Sequence, residues 1–268
     1  MLQIDLDAIF KEKNPKLAKR IPKFVMNIIK KVLRVKDIND HLRNNGDRKG
    51  IDSVQFLIDS LNVTYEVFGI ENLKKNHRYQ FASNHPLGAL DGITLLDVIN
   101  EHIGEPRFLV NDLLLKLEIF DPLFVPINSY GTTSKEIARL IDQTYASDLQ
   151  VIAFPSGMAS RKIKGKITDL EWKKSFVQKS IEHERDIVPV FFKGHNSKRF
   201  YRIANWRKRL GIKANIEMFF LPDEMFRQNN SHFKIFFGNP ISWEELKNNS
   251  NVRQWTEDIR KIVYSLEK

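Results

Sequence analysis

The 268-residue chain contains no cysteine. That absence removes thiol nucleophiles, disulfides, iron–sulfur clusters and cysteine-ligated zinc together, and it fits a reducing compartment. No stretch approaches the roughly 18 consecutive apolar residues of a membrane-crossing helix. The opening MLQIDLDAIFKEKN carries acids where a secretory leader carries Lys or Arg, and it lacks an apolar core. The expectation is a chain that stays in the cytoplasm. Gly165-Lys166 lacks the upstream glycine that a phosphate-binding P-loop requires. The seven histidines show neither His-x3-His nor His-Glu-x2-His spacing, so no metal site is expected. No Gly-x-Ser-x-Gly elbow occurs, which counts against a serine hydrolase.

What is present is charge, unevenly placed. Lys and Arg number 43 against 33 Asp and Glu, a formal +10. Residues 1–50 carry 13 basic and 6 acidic residues, and 193–213 carry 8 basic residues and no acid. The two stretches together hold +15, leaving −5 for the remainder. Two local basic surfaces follow, with polyanions as partners. In the first, Ile21, Phe24, Val25, Ile28, Ile29, Val32 and Leu33 recur at helical spacing, while Lys19, Arg20, Lys23, Lys30, Lys31 and Arg34 fill much of the rest. Such a stripe fits a membrane interface or the protein's own core, and the excess of Lys and Arg over Glu tips the reading toward the interface. In the second, Phe200, Tyr201 and Trp206 interleave with basic residues, a pattern open to RNA, lipid headgroups, an acidic carrier, or a plain solvated helix.

Along the chain, β-rich runs alternate with helical ones. Strands are expected at 63–69, 79–83, 107–110, 123–127, 151–154, 187–192 and 232–238, and helices at 52–61, 93–103, 134–146, 170–184 and the C-terminal stretch. Ser134 is a candidate cap for the helix it opens. Alternation of this kind predicts an α/β fold, a layered mixed β-sheet flanked by helices. A basic amphipathic helical prefix at 1–60 should precede the α/β domain at 61–268.

The segment richest in chemistry is YQFASNHPLGALDGITLL, 79–96. Pro86 biases His85 toward extended backbone at the strand's exit, and the C-terminal ends of strands are where open α/β sheets place ligands. Asp91 could cap the following helix or turn back toward His85. A carboxylate on one ring nitrogen makes the other a better base, able to take a proton from an attacking alcohol or amine. On the residues alone, a single histidine near a strand end is as a rule structural, and an aspartate before a helix is as a rule a cap.

Asn84-His85 followed closely by Asp91 resembles the first motif of the glycerolipid acyltransferases, the PlsC-like lysophospholipid acyltransferases. Further pieces follow in order: Phe124-Val125-Pro126-Ile127-Asn128 stands where the second motif belongs, Phe154-Pro155-Ser156-Gly157 is similar to the third, Phe-Pro-Glu-Gly, and Ile187-Val188-Pro189-Val190 is similar to the fourth. The resemblance spans roughly residues 60–240. It implies direct transfer of an acyl group from a thioester, on acyl carrier protein or coenzyme A, to the hydroxyl of a lyso-lipid, with no bound cofactor. His85 is then the general base and Asp91 orients it. The helix N-terminus after Asp91 is a candidate to hold an oxyanion or phosphate.

Three departures from the pattern narrow the acceptor. His85 and Asp91 are separated by five residues, where four are usual; Gly88 is suited to absorb the extra one, and the longer spacing resembles a hemolysin-like subgroup that includes acyltransferases of ornithine and glycine lipids. Asn128 stands where an arginine is expected to hold a phosphate, and Ser156 replaces the glutamate of the third motif. A lyso-amino-acid lipid is therefore favoured over a phosphate-bearing acceptor. The substrate-binding candidates are Asn84, Gly88, Asn128, Ser156, Gly157, Arg161 and Lys162, the last two offering charge to a carboxylate or phosphate or forming an exposed basic turn. The expected partners are an anionic membrane surface on the inner face, the lyso-lipid and the acyl carrier protein; nucleic acid is not among them. The rivals are a lysophosphatidate acyltransferase and a non-catalytic lipid- or RNA-binding protein.

Overall fold

The computed structural model describes residues 3–13, 15, 20–111, 117–127, 135–248 and 251–267. Asn128, Ser134 and Lys19 lie outside them. Among the described residues four helices come first: α1 (Leu6–Lys13), α2 (Lys23–Val32), α3 (Val35–Asn45) and α4 (Ile51–Ser60). There follow β1 (Thr64–Phe68), β2 (Tyr79–Ser83), α5 (Leu90–His102), β3 (Pro106–Asn111), β4 (Phe124–Ile127), α6 (Lys135–Ala146) and β5 (Gln150–Ala153). The second half holds β6 (Arg161–Ile163), β7 (Lys166–Thr168), α7 (Ser175–Glu182), β8 (Asp186–Lys193), α8 (Lys198–Arg209), α9 (Leu221–Phe226), β9 (His232–Phe237), α10 (Trp243–Asn248) and α11 (Val252–Ser265).

Among the described residues seven strands form one sheet in the order β1-β9-β8-β2-β5-β3-β4, and β6 pairs with β7 in a separate hairpin. Every neighbouring pair in the large sheet is parallel except β8 with β9. The expected mixed α/β architecture is the one observed. β2 is buried at all five residues, as a strand covered on both faces must be. β1 at the edge alternates exposed and half-buried residues. Pro189 sits inside β8 without disrupting it. Its carbonyl accepts from Gly238 N–H, so its missing donor points to the side where the β9 ladder stops at Val190↔Phe237. The pairing with β2 on the other side is untouched.

One hydrophobic cluster runs from Leu42 in α3 and Val54, Leu57 and Ile58 in α4 through Phe81, Leu95, Ile99 and Phe108 to Ile235. α3 and α4 thus pack into the same core as the sheet. α2 does so much less: Met26 is buried, while Phe24 and Ile28 of the same apolar stripe stand exposed. No described helix is long and apolar enough to cross a membrane.

The hairpin β6–β7 was not anticipated; its three-residue strands are too short to show a period. The expected helix at 170–184 begins only at Ser175.

Candidate active site

β2 ends at Ser83, and the chain leaves the sheet through Asn84 and His85 between the C-terminal ends of β5 and β8. α5 begins at Leu90, and its cap position, Ala89, has only a methyl group and makes no side-chain cap hydrogen bond. Asp91 therefore does not cap the helix. It is fully buried and turns back across the loop, where Oδ2 accepts from His85 Nδ1 at 3.0 Å. The same oxygen accepts from Leu87 N–H at 2.9 Å and Gly88 N–H at 3.3 Å, and Oδ1 accepts from Gly92 N–H at 3.0 Å. A carboxylate on Nδ1 keeps the proton there and leaves the lone pair on Nε2. Among the described residues Nε2 has no hydrogen-bond partner. The amides of Leu87, Gly88 and Gly92 are turned onto Asp91, so these three are not available to an oxyanion or phosphate.

Gly88 makes the longer loop possible. Its φ is +83°, and an added Cβ would stand 2.8 Å from Leu221 and 2.9 Å from Ala159. Only glycine combines that backbone with that clearance.

Phe154, at the exit of β5, stacks on the His85 ring at 4.0 Å. Below it lies a residue that sequence reasoning missed. Asp169, 2% exposed, accepts from His85 N–H at 3.2 Å, from Ser160 Oγ–H, and from Trp172 Nε1–H at 2.9 Å. The Ser160 amide in turn donates to the His85 carbonyl at 2.7 Å. His85 is thus held at ring, amide and carbonyl. Burial pushes the Asp169 carboxyl above its ordinary range, against the pull of the three donors. Asp169 lies 84 positions along the chain from His85, and no local pattern marks it.

The structure distributes the other expected site residues unevenly. The Asn84 amide is committed to the backbone of Phe192, donating to its carbonyl at 3.0 Å and accepting from its N–H at 2.7 Å, which extends the β2–β8 pairing by one side chain. Ser156 is buried with its hydroxyl donating to Met158 O at 2.8 Å, and Gly157 turns the chain with φ +65°. Lys173 reaches over this turn, its Nζ 3.5 Å from where a Gly157 Cβ would be. Arg161 is neither exposed nor free: it is buried, pairs with fully buried Glu217 at 2.7 Å, and lies 5.4 Å from the centre of the Phe200 ring. Desolvation lowers its pKa while Glu217 opposes the shift. Lys162 is exposed on β6. Phe200 and Tyr201, expected in an exposed aromatic–basic patch, are buried on the inner face of α8, and burial pushes the Tyr201 hydroxyl up to about 12.

Beside this loop a groove of about 1140 Å³ opens, lined by Asn84, Pro86, Ser160, Lys166, Arg260 and Lys261 among others.

The chain is similar to several known proteins. The family described as "Acyltransferase" matches residues 8–268. A lyso-glycine lipid O-acyltransferase of Bacteroides thetaiotaomicron is 45% identical over 264 residues, covering 98% of this chain and 97% of its own. A protein of the same name from Phocaeicola vulgatus is 40% identical over 264 residues, covering 98% and 95%. The solved 1-acyl-sn-glycerophosphate (LPA) acyltransferase PlsC of Thermotoga maritima is similar at a TM-score of 0.49 and 14% identity, covering 95% of this chain and 83% of its own.

Proposed function

The chain belongs to the acyltransferase family, and from that premise we propose that it moves a fatty acyl group from an acyl thioester to the hydroxyl of a lyso-glycine lipid. The donor is carried by acyl carrier protein or coenzyme A, and the enzyme works as a peripheral protein on the cytoplasmic face of the membrane. The observation that carries the chemistry is the 3.0 Å contact between His85 Nδ1 and Asp91, with Nε2 left unpartnered among the described residues. Nε2 takes the proton of the acceptor hydroxyl as that oxygen attacks the thioester carbonyl. The tetrahedral intermediate collapses, expelling the thiolate, which recovers the proton from the imidazolium. Asp91 stabilises the imidazolium between these two transfers without taking its proton. No acyl-enzyme is needed.

An amino-acid headgroup is favoured over a phosphate. Two close full-length relatives carry the lyso-glycine name, and Arg161, beside the Phe-Pro-Ser-Gly turn, is already neutralised by Glu217. Lys173 over Gly157 is the cation we assign to a headgroup carboxylate.

The test is a paired assay of lyso-glycine lipid and lysophosphatidate with an acyl thioester. Turnover of the first, with little of the second, is the expected result; preference for lysophosphatidate would overturn the acceptor assignment. Lys173→Gln should raise KM for the lyso-glycine lipid and leave kcat near wild type, whereas an unchanged KM would remove Lys173 from the headgroup site.

A further inference from the structure

The far end of α8 and the segment that follows it present large apolar side chains to solvent. Trp206 is 66% exposed, Leu210 74% and Phe219 60%, and Ile212 is also exposed. Trp206 and Leu210 lie one turn apart on a single helix face. Around them stand Arg202, Lys208, Arg209 and Lys213, all exposed and none in an ion pair among the described residues. Their neighbours differ. Arg207 pairs with Glu217 at 2.8 Å and Arg199 with Asp223. Paired cations thus root this element, and unpaired ones ring its apolar tip.

The tip is a held structure. Arg207 Nη1 donates to the carbonyls of Ile212 at 3.1 Å and Lys213 at 3.3 Å, and Ile212 N–H donates to Arg207 O at 3.0 Å. Its root reaches the reactive loop. Buried Phe200 and Tyr201 pack with Ala159 and Leu221, and Leu221 is the side chain that closes over Gly88. Glu217 joins Arg207 to Arg161.

We propose that the 206–219 tip is a membrane-docking element that beds in an anionic bilayer and seats the His85 loop against it. Side chains two-thirds exposed protrude. A protruding apolar knob beds in a fluid interface, whereas a folded partner needs a matching pocket. The indole is suited to the headgroup boundary, with an apolar body and one polar N–H, and the unpaired cations match anionic headgroups. The tip is distinct from the exposed Phe24–Ile28 pair of α2, yet both lead to one segment: Arg34, just past α2, pairs with Asp223 at 3.3 Å. Delivery of the acceptor from the bilayer to this loop rests on the transferase reading; the docking does not.

The experiment replaces Trp206, Leu210 and Phe219 together by serine in the full chain and measures co-sedimentation with vesicles of equimolar phosphatidylglycerol and phosphatidylcholine. Partitioning should fall about tenfold or more, with the melting temperature preserved because the changed side chains are exposed. Neutralising one of Arg202, Lys208, Arg209 or Lys213 should cost roughly fivefold, and on pure phosphatidylcholine that difference should vanish. In the wild type, brominated lipids should quench a tryptophan signal that is absent from Trp206→Phe. Binding by the triple variant equal to wild type, or no such quenching, overturns the proposal. Acyl transfer to vesicle-borne lyso-lipid should fall in the triple variant while transfer to a monodisperse short-chain lyso-lipid holds. Equal loss with both acceptors would point to carrier-protein docking and overturn the bilayer assignment. If the chain transfers no acyl group at all yet its vesicle binding depends on the tip, the transferase reading fails and the docking stands.

Discussion

The two ends of the parallel strands treat their polar groups in opposite ways. At the N-terminal ends, Arg185 is completely buried and donates to the carbonyls of Tyr145 at 2.7 Å, Leu149 at 2.8 Å and Tyr79 at 3.0 Å, and also to Ser147 and Thr144. Arg78 adds bonds to Tyr145 and His183, and Gln150 joins Tyr79 N–H to the His77 carbonyl. Desolvation and the charge of Arg78 bring the Arg185 guanidinium down to about 10. Donors here meet acceptors, and the result is a clamp on the ends of α6, β2 and β5. At the C-terminal ends the same density of bonds surrounds His85, but the network stops one atom short, at Nε2. Burial and hydrogen bonding hold a fold wherever every partner is satisfied; chemistry needs one group positioned by that network and left open.

Separating the two ends by mutation sharpens the contrast. His85→Ala should lower kcat by about 10³-fold or more, within the range of a lost general base. Its melting temperature should move by no more than about 4 °C, since Asp91 retains the amides of Leu87, Gly88 and Gly92. Activity within tenfold of wild type would break the assignment. Arg185→Met should do the reverse: it strands buried carbonyls and costs about 3–5 kcal/mol, lowering the melting temperature by about 10 °C while kcat per folded molecule stays near wild type. A large fall in kcat without destabilisation would show that the two ends are not separable. Asp91→Asn should lie between them, with kcat reduced about 10²-fold because the amide no longer fixes the ring proton on Nδ1. A pH–rate profile identical to wild type would argue against Asp91 acting through the ring.

How much of this was legible depends on how far apart in sequence the partners lie. β2 could be read to the residue, 79–83, because an apolar run bounded by turn formers specifies it locally. The His85–Asp91 pair was legible in part: the residues left Asp91 open to cap the helix or to turn back, the resemblance to the acyltransferase motif favoured the second, and the contact is there at 3.0 Å. Asp169, Trp172 and Arg185 were not. Asp169 meets His85 84 positions away and Arg185 meets Tyr79 106 positions away. Trp172 bonds a carboxylate three residues off whose burial the local sequence does not mark, and a lone aspartate or arginine in a charged stretch looks like solvated surface until the fold buries it. Arg161 was open to two readings for the same reason, an anion-binding cation or, beside Lys162 and Lys164, an exposed basic turn; only Glu217, 56 residues on, shows that it is buried and paired.

The smallest of these effects tests whether the cradle beneath His85 tunes the reaction or only supports the loop. Asp169→Asn keeps an oxygen for His85 N–H and Ser160 Oγ–H but turns an NH2 group toward Trp172 Nε1–H, donor against donor, in a buried site. Such a conflict costs about 1–3 kcal/mol and should tilt the His85 backbone enough to lower kcat about tenfold, with KM little changed. Trp172→Phe removes the opposing donor. In the double variant the melting temperature should recover beyond the sum of the single changes. If stability recovers and kcat recovers with it, the loss came from displacement of the loop. If stability recovers and kcat remains tenfold low, the negative charge of Asp169 itself contributes to the field at His85, and the cradle positions the base electrostatically as well as mechanically.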